Sequence, residues 1–175
     1  MRGLISEQYR QMQRHLHENT IYGVVGREFA PDVARIMAQL DASELLDYGA
    51  GSRLSLKAGL DELGVKGYEY RPYEPAVPEY AGEPSPSSFV CCIDVLEHIE
   101  PELLDNVLDD LKRVTAGVGF FTIHTGKAGK TLSDGRNAHL IQQPAEWWLP
   151  KILERWTLQS FQARPKGFAV IVTRK

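Results

Sequence analysis

Apolar positions in this chain fall first at helical spacing and later in short unbroken runs. Residues 6–19 are polar and rich in Gln, Arg and Glu, yet Tyr9, Met12 and Leu16 recur three and four apart. That spacing predicts a thinly amphipathic helix lying across the main body. Gly23 and Gly26 mark a turn, and Pro31 suits the first position of the next helix. Val33, Ile36, Met37 and Leu40 then share one face, predicting a helix over 32–40. A short strand is expected at 44–48, ending in Gly49, Ala50 and Gly51. A second amphipathic helix is expected over 54–63, closed by Gly64 where a left-handed cap residue belongs.

Residues 67–73 predict a second strand. Pro72, Pro75, Pro78, Pro84 and Pro86 then crowd a stretch that suits neither a helix nor a central strand. The apolar run 89–93 has the pattern of a strand buried on both faces. Pro101 opens the strongest helical pattern, with Leu104, Val107, Leu108, Leu111 and Val114 as its stripe and Asp105, Asp109, Asp110 and Lys112 as its wet side. A further strand is expected at 118–125, and a loop bearing Gly and Lys runs to about 143. The last helix is expected over 144–156, bent or interrupted at Pro150, before a closing antiparallel hairpin of 157–162 and 168–173. The alternation of strand and helix predicts an α/β domain with a mostly parallel sheet.

Composition narrows the function classes. With 175 residues, 43% hydrophobic and 25% charged, the chain fits one packed domain. A net charge of -3 argues against a protein that coats nucleic acid or anionic lipid. Cys91 and Cys92 are adjacent and cannot form a disulfide framework, which suits a reducing compartment. No apolar stretch has the length of a membrane helix and no signal-peptide core is visible, so a cytoplasmic protein is expected.

The first strand runs into Asp47, Tyr48, Gly49, Ala50, Gly51 and Ser52, with a helix starting shortly after. The glycines let backbone pass close to a ligand, and a helix N-terminus follows. A dinucleotide fingerprint would need a third glycine where Leu54 stands. An acid before the glycines repels a pyrophosphate and suits a cation or an amine.

This acid-x-G-x-G pattern resembles the first motif of the class I S-adenosylmethionine-dependent methyltransferases. The resemblance implies that Asp47, Gly49 and Gly51 meet the methionine end of that cofactor. It implies a carboxylate at the end of the second strand holding the ribose hydroxyls; Glu74 is the favoured residue and Glu69 its rival. Asp94, Val95, Leu96, Glu97 and His98 match the segment that follows the family's fourth strand, which is the most specific likeness in the chain. The likeness extends over 29–173 and implies a three-layer Rossmann-like fold with a C-terminal antiparallel hairpin. The expected organisation is one domain, with 1–28 a helical lid and 29–175 the core. One departure stands out. The proline-filled stretch after Glu74 leaves no room for the family's third strand, so that strand is expected to be missing or abbreviated. The adenine contact stays open, with Ser87, Ser88, Asp94 and Val95 as candidates.

Gly129, Lys130 and Thr131 imitate the end of a phosphate-binding loop, but His124 occupies the place of its first glycine. An ATPase is therefore not expected. The resemblance places this loop beside the acceptor. Lys127 and Arg136 suit an anionic group, and Asn137 suits orientation by hydrogen bonds. Tyr22 and Trp147 complete the expected acceptor contacts, although surface solvation for Lys127 and helix packing for Trp147 are the competing readings. Removal of a proton from the acceptor calls for a base, and His124, His98 and His139 are available, His124 first. Their spacing matches no local metal-ligand motif, so no metal is expected.

The expected function is methyl transfer from S-adenosylmethionine to an O or N atom of a small polar acceptor, anionic or phosphorylated. The alternatives are a non-catalytic cofactor-binding or protein-interaction module and a nucleic-acid methyltransferase. The last is disfavoured by net charge and by the lack of an Asn/Asp-Pro-Pro-aromatic motif. Oligomeric state stays open.

Overall fold

The apolar run ending at Ile93 becomes the middle of a six-stranded sheet. In a computed structural model describing residues 3–20 and 24–175, β3 (Ser87–Ile93) pairs in parallel with β1 (Glu44–Tyr48) and with β4 (Thr115–His124). β2 (Glu69–Tyr73) extends the parallel sheet beyond β1. β5 (Trp156–Arg164) and β6 (Gly167–Arg174) return as an antiparallel hairpin, giving the order β2-β1-β3-β4-β6-β5.

Alternation along β3 splits the core into two layers. Phe89, Cys91 and Ile93 face α2 (Gly26–Leu40) and α3 (Ser55–Glu62), where Val33, Ile36 and Leu60 are buried. Val90 and Cys92 face α4 (Leu104–Val114) and α5 (Ala145–Arg155), where Leu108, Leu111, Trp148 and Ile152 are buried. A period of two in the strand thus feeds two helical layers, and no polar residue is tolerated in the run. The acidic side of α4 is not left entirely to water: Arg155 of α5 reaches Asp109 at 2.8 Å and Asp105 at 3.1 Å.

No strand lies between β2 and β3 among the described residues, as the proline pattern predicts. A 3-10 turn, Pro78–Tyr80, takes its place. Arg71 staples the connection, donating to the carbonyls of Ser85 (2.7 Å) and Pro86 (3.1 Å) while pairing with Glu44 (3.2 Å). β2 therefore ends the sheet, and Pro72 within it is tolerated because proline is compatible with an edge strand.

Two proline expectations are corrected. α2 begins at Gly26 and carries Pro31 inside it rather than at its first position. The missing donor lies close enough to the helix start that burial of Ala30, Val33, Ile36 and Met37 outweighs it. α5 likewise runs as one element through Pro150, between the buried anchors Trp148 and Ile152. Gly64 does adopt the left-handed conformation expected of it, with φ of 73°. No helix among the described residues is long and apolar enough to cross a membrane.

The N-terminal helix α1 (Glu7–Asn19) starts at Ser6, whose Oγ accepts from the Tyr9 amide at 3.1 Å. Its stripe of Tyr9, Met12 and Leu16 buries against Leu132 and Ala138 of the loop after β4, forming a small cluster of its own.

Gly167 ties the hairpin to the site, because it pairs directly with His124 at the end of β4. A Cβ there would lie 2.0 Å from the Ile123 carbonyl oxygen, so Gly167→Ala must push two backbones apart. We expect a loss of about 1–3 kcal/mol, the usual range for overpacking, read as a lower urea midpoint with an unchanged slope.

Candidate functional site

Parallel strands that share a direction also share an end, and ligands bind in the crevice beyond those carboxyl ends. Here the ends of β1, β2 and β3 border a cleft with about 990 Å³ of empty volume, open solvent at its mouth included. Asp47, Gly49, Gly51, Glu74, Asp94 and Val95 all line it.

The floor is the turn after β1. Gly49 and Gly51 sit at φ of 86° and 63°, a region that side chains disfavour. A Cβ on Gly49 would lie 2.3 Å from Val95 Cγ2, so the turn and the segment after β3 touch. The amides of Gly49 and Ala50 donate to the Tyr73 carbonyl at 2.8 and 3.0 Å, locking the turn to the end of β2. Asp94 is held in the same left-handed region, at φ of 49°. Thr122 of β4 secures it: the Asp94 amide donates to Thr122 Oγ1 at 3.0 Å, and that hydroxyl donates to Asp94 Oδ1 at 2.6 Å.

The carboxylates are set by burial. Asp47 accepts from the Tyr70 hydroxyl, yet desolvation pushes its pKa up to about 7. Glu74 accepts from the Ala76 amide at 3.1 Å, and burial raises it too. The rival Glu69 starts β2, at its opposite end, and is exposed. Glu74 is thus the acid that the fold brings to Asp47. Among the described residues, neither carboxyl has a Lys or Arg beside it in the cleft lining, which suits a ligand carrying an ammonium and hydroxyl donors.

At the other end stand three imidazoles. The His139 ring centroid lies 4.6 Å from that of His98 and 4.7 Å from that of His124. His98 Nδ1 meets the Ala138 carbonyl at 2.8 Å and His139 Nδ1 meets the Gly126 carbonyl at 2.7 Å. Since a carbonyl only accepts, both Nδ1 atoms carry the proton. His124 Nδ1 instead accepts from the Gly126 amide at 3.0 Å, which puts its proton on Nε2. Burial, with neighbouring imidazoles, lowers the His98 pKa to about 3, and burial lowers His139 as well. His98 lines the cleft, whereas His124 and His139 stand behind it. Of the three candidate bases, the cleft lining thus includes His98 alone.

The expected acceptor contacts among the described residues lie outside this cleft lining. Lys127 is exposed and does not line the cleft. Arg136 is exposed and turns to Asp134, at 2.7 Å. Asn137 spends its amide within the loop, donating to the Ala128 carbonyl at 2.9 Å and accepting from the Ala128 amide at 2.9 Å. Trp147 packs edge-on against Trp148 with Lys151 over its ring. Arg136 and Asn137 thus have partners within their own loop, and Trp147 has partners within α5. Tyr22 lies outside the described residues.

The sequence leads to a lid over 1–28, but Gln13 and His17 were not named among its contacts. Tyr9, Gln13 and His17 line the cleft, and the Tyr9 hydroxyl donates to the His98 carbonyl. Ser6 clamps Glu100 with its amide (2.8 Å) and its hydroxyl (2.6 Å). Burial lowers the His17 pKa to about 4. Glu97 was missed as an individual as well: it is fully buried, its Oε1 accepts from the His124 amide at 2.9 Å, and burial raises its carboxyl far above the usual range.

No family model matches the chain, and no curated protein matches its sequence. Solved structures do resemble it. The Burkholderia thailandensis 1,6-didemethyltoxoflavin-N1-methyltransferase, with bound 1,6-didemethyltoxoflavin and S-adenosylhomocysteine, superposes at a TM-score of 0.62 with 17% identity, covering 100% of this chain and 92% of that one. DhpI in its SAH complex gives 0.56 with 18% identity, covering 98% and 97%. TnmH gives 0.58 with 14% identity over 85% of this chain, which spans only 55% of TnmH.

The hold of α1 on the cleft is testable. Tyr9→Ala removes both a buried ring and the bond to His98. Hydrogen exchange across Glu7–Asn19 should accelerate at least about tenfold, the factor that 1.4 kcal/mol represents, while the strands keep their protection.

Proposed function

We propose that this chain, which has the fold of the class I S-adenosylmethionine-dependent methyltransferases, is itself such an enzyme and methylates an O or N atom of a small polar acceptor. The observation that carries this reading is the meeting of Asp47, the Gly49–Gly51 turn and Glu74 in one cleft at the strand ends. The cofactor fits the residues present. Asp47 is a buried carboxyl suited to an ammonium, Glu74 can accept from two ribose hydroxyls, and Gly49 lets the turn pack directly on Val95, where any Cβ would collide. When bound, S-adenosylmethionine supplies a methyl group made electrophilic by a sulfonium.

The chain's own residues supply position and dryness. Asp94 and Val95 continue the cleft wall from the glycine turn toward His98, the member of the histidine cluster that lines the cleft. The histidine cluster behind it marks the acceptor end. α1 roofs the cleft with Tyr9 and Gln13, acting as a lid that keeps water from the reacting centre. Holding nucleophile and electrophile in line accounts for most of the rate gain in a displacement of this kind. A small acceptor is supported by the enclosure of the cleft, and by the small molecule named in the Burkholderia structure.

Calorimetric titration with S-adenosylmethionine and S-adenosylhomocysteine tests the cofactor, followed by an acceptor screen by mass spectrometry. Glu74→Ala should weaken S-adenosylhomocysteine at least about tenfold, given about 1.5–3 kcal/mol for a hydrogen bond to a charged group. Glu69→Ala should leave affinity unchanged. Normal binding by Glu74→Ala, or none by the wild type, would sink the assignment.

The shifted Asp47 adds a pH signature. Its pKa of about 7 in the empty cleft lies above the value of an exposed carboxyl, so ionising it is unfavourable there. Stability from this group is therefore full below about pH 4 and declines as pH rises toward 7. A ligand ammonium favours the ionised form. Binding should then release a proton and tighten by up to about tenfold per pH unit below 7, levelling above it. Titrations from pH 5 to about 8.5 should show this slope in the wild type and lose it in Asp47→Asn.

A further inference from the structure

We propose that Glu97, His98 and His139 form a binding site for one divalent transition-metal ion at the acceptor end of the cleft. The three donor atoms lie within 4.8 Å of one another. They come from two segments that are far apart in the chain. Glu97 and His98 belong to the 3-10 turn Leu96–His98 after β3, and His139 to the loop after β4. Two bonds strap these segments together: the Ile141 amide donates to the Glu97 carbonyl at 3.0 Å, and His98 Nδ1 donates to the Ala138 carbonyl at 2.8 Å.

Both imidazoles are oriented as ligands usually are. A metal-bound histidine almost always gives its second ring N–H to a carbonyl or carboxylate, which fixes the tautomer and aims the other nitrogen. His98 and His139 do this with backbone carbonyls, so Nε2 is the lone-pair nitrogen in each. His124 has the opposite tautomer, with Nδ1 taken by the Gly126 amide, and is left out of the ligand set.

Glu97 is the second, independent observation. Its side chain is fully buried, and while Oε1 accepts from the His124 amide, Oε2 has no hydrogen-bond partner among the described residues. A carboxyl oxygen removed from water without a partner is costly, and such an orphan in a folded protein calls for an occupant. A cation would satisfy it.

Two imidazoles and a carboxylate suit zinc, manganese, iron or cobalt rather than calcium. Bonds of about 2.0–2.2 Å put neighbouring donors roughly 3–4 Å apart, so the side chains must draw in by about an ångström. Three protein donors leave at least one position for an outside ligand, the arrangement of catalytic rather than purely structural sites. His98 and Asp94 line the cleft, so the site borders the space assigned to the acceptor.

This predicts an acceptor that presents a hydroxyl or similar oxygen donor, made more acidic by the ion. The acceptor O–H then breaks, its proton passing to water. The oxygen pair forms the new bond to the methyl carbon, and the carbon–sulfur pair returns to sulfur. That last role rests on the methyltransferase reading, whereas the metal site itself does not.

The test uses full-length, tag-free protein stripped with chelator and titrated with Mn(II), by the loss of the free-ion EPR signal, and with Co(II), by its visible spectrum. One ion per chain is expected, with Co(II) bands of nitrogen and oxygen ligation. Glu97→Gln, nearly isosteric, and His139→Ala should each weaken binding at least about tenfold. Thermal unfolding and S-adenosylhomocysteine titration check that both variants stay folded. Absence of binding by the wild type, or equal binding by wild type and both variants, would overturn the site. Metal binding without S-adenosylhomocysteine binding would support the site and remove the methyltransferase reading alone.

Discussion

A strand buried on both faces has nowhere to leave the core except at its end, and β3 imposes that constraint on everything around it. Its fully buried run must emerge where the two helical layers stop, and β1 and β4 run parallel beside it. Polar groups excluded from the sheet interior therefore collect at one rim. Asp47 stands one residue before the end of β1, Asp94 follows β3, and His124 ends β4. The hydrophobic effect gathers this chemistry, because the middle of the sheet excludes charged groups and leaves them to the strand ends.

That gathering has an electrostatic side. Asp47, Glu74, Asp94 and Glu97 each have a raised pKa, and desolvation is the leading cause in every case. Asp47, Glu74 and Asp94 line the cleft with Glu97 buried outside its lining, and withdrawing these carboxyls from water costs stability. Functional sites commonly carry such tension, which a complementary ligand relieves.

Local signals were legible where a residue answers mainly to its neighbours in the chain. The β3 run, the α4 stripe, the Gly64 cap and the proline-crowded connection all read correctly, since periodicity and backbone restriction act over a few residues. Pro31 falls inside α2 rather than at its start, and α5 is not interrupted at Pro150, because tertiary burial outweighed a local helix penalty. Lys127, Arg136 and Asn137 had the chemistry of anion binding, but nothing in composition says that Asn137 would satisfy its own loop's backbone. The converse holds for His98 and His139. Their spacing looked meaningless, and only the crossing from β3 to β4 and the return of the following loop bring the rings within 4.6 Å. Glu97 was hidden for a related reason, as an acid between Leu96 and His98 gives no sign of facing inward.

The bond from the Tyr9 hydroxyl to the His98 carbonyl joins the roof of the cleft to the turn that carries the histidine. The roof cannot lift as an independent body, because its best-anchored side chain is fastened to the very turn beneath it. By thermodynamic reciprocity, anything that steadies this turn raises the free energy needed to open α1, and anything that holds α1 shut narrows the turn's range of positions. Entry, release and the alignment of His98 thus share one equilibrium, to which the Tyr9 phenol contributes directly alongside the Ser6–Glu100 clamp.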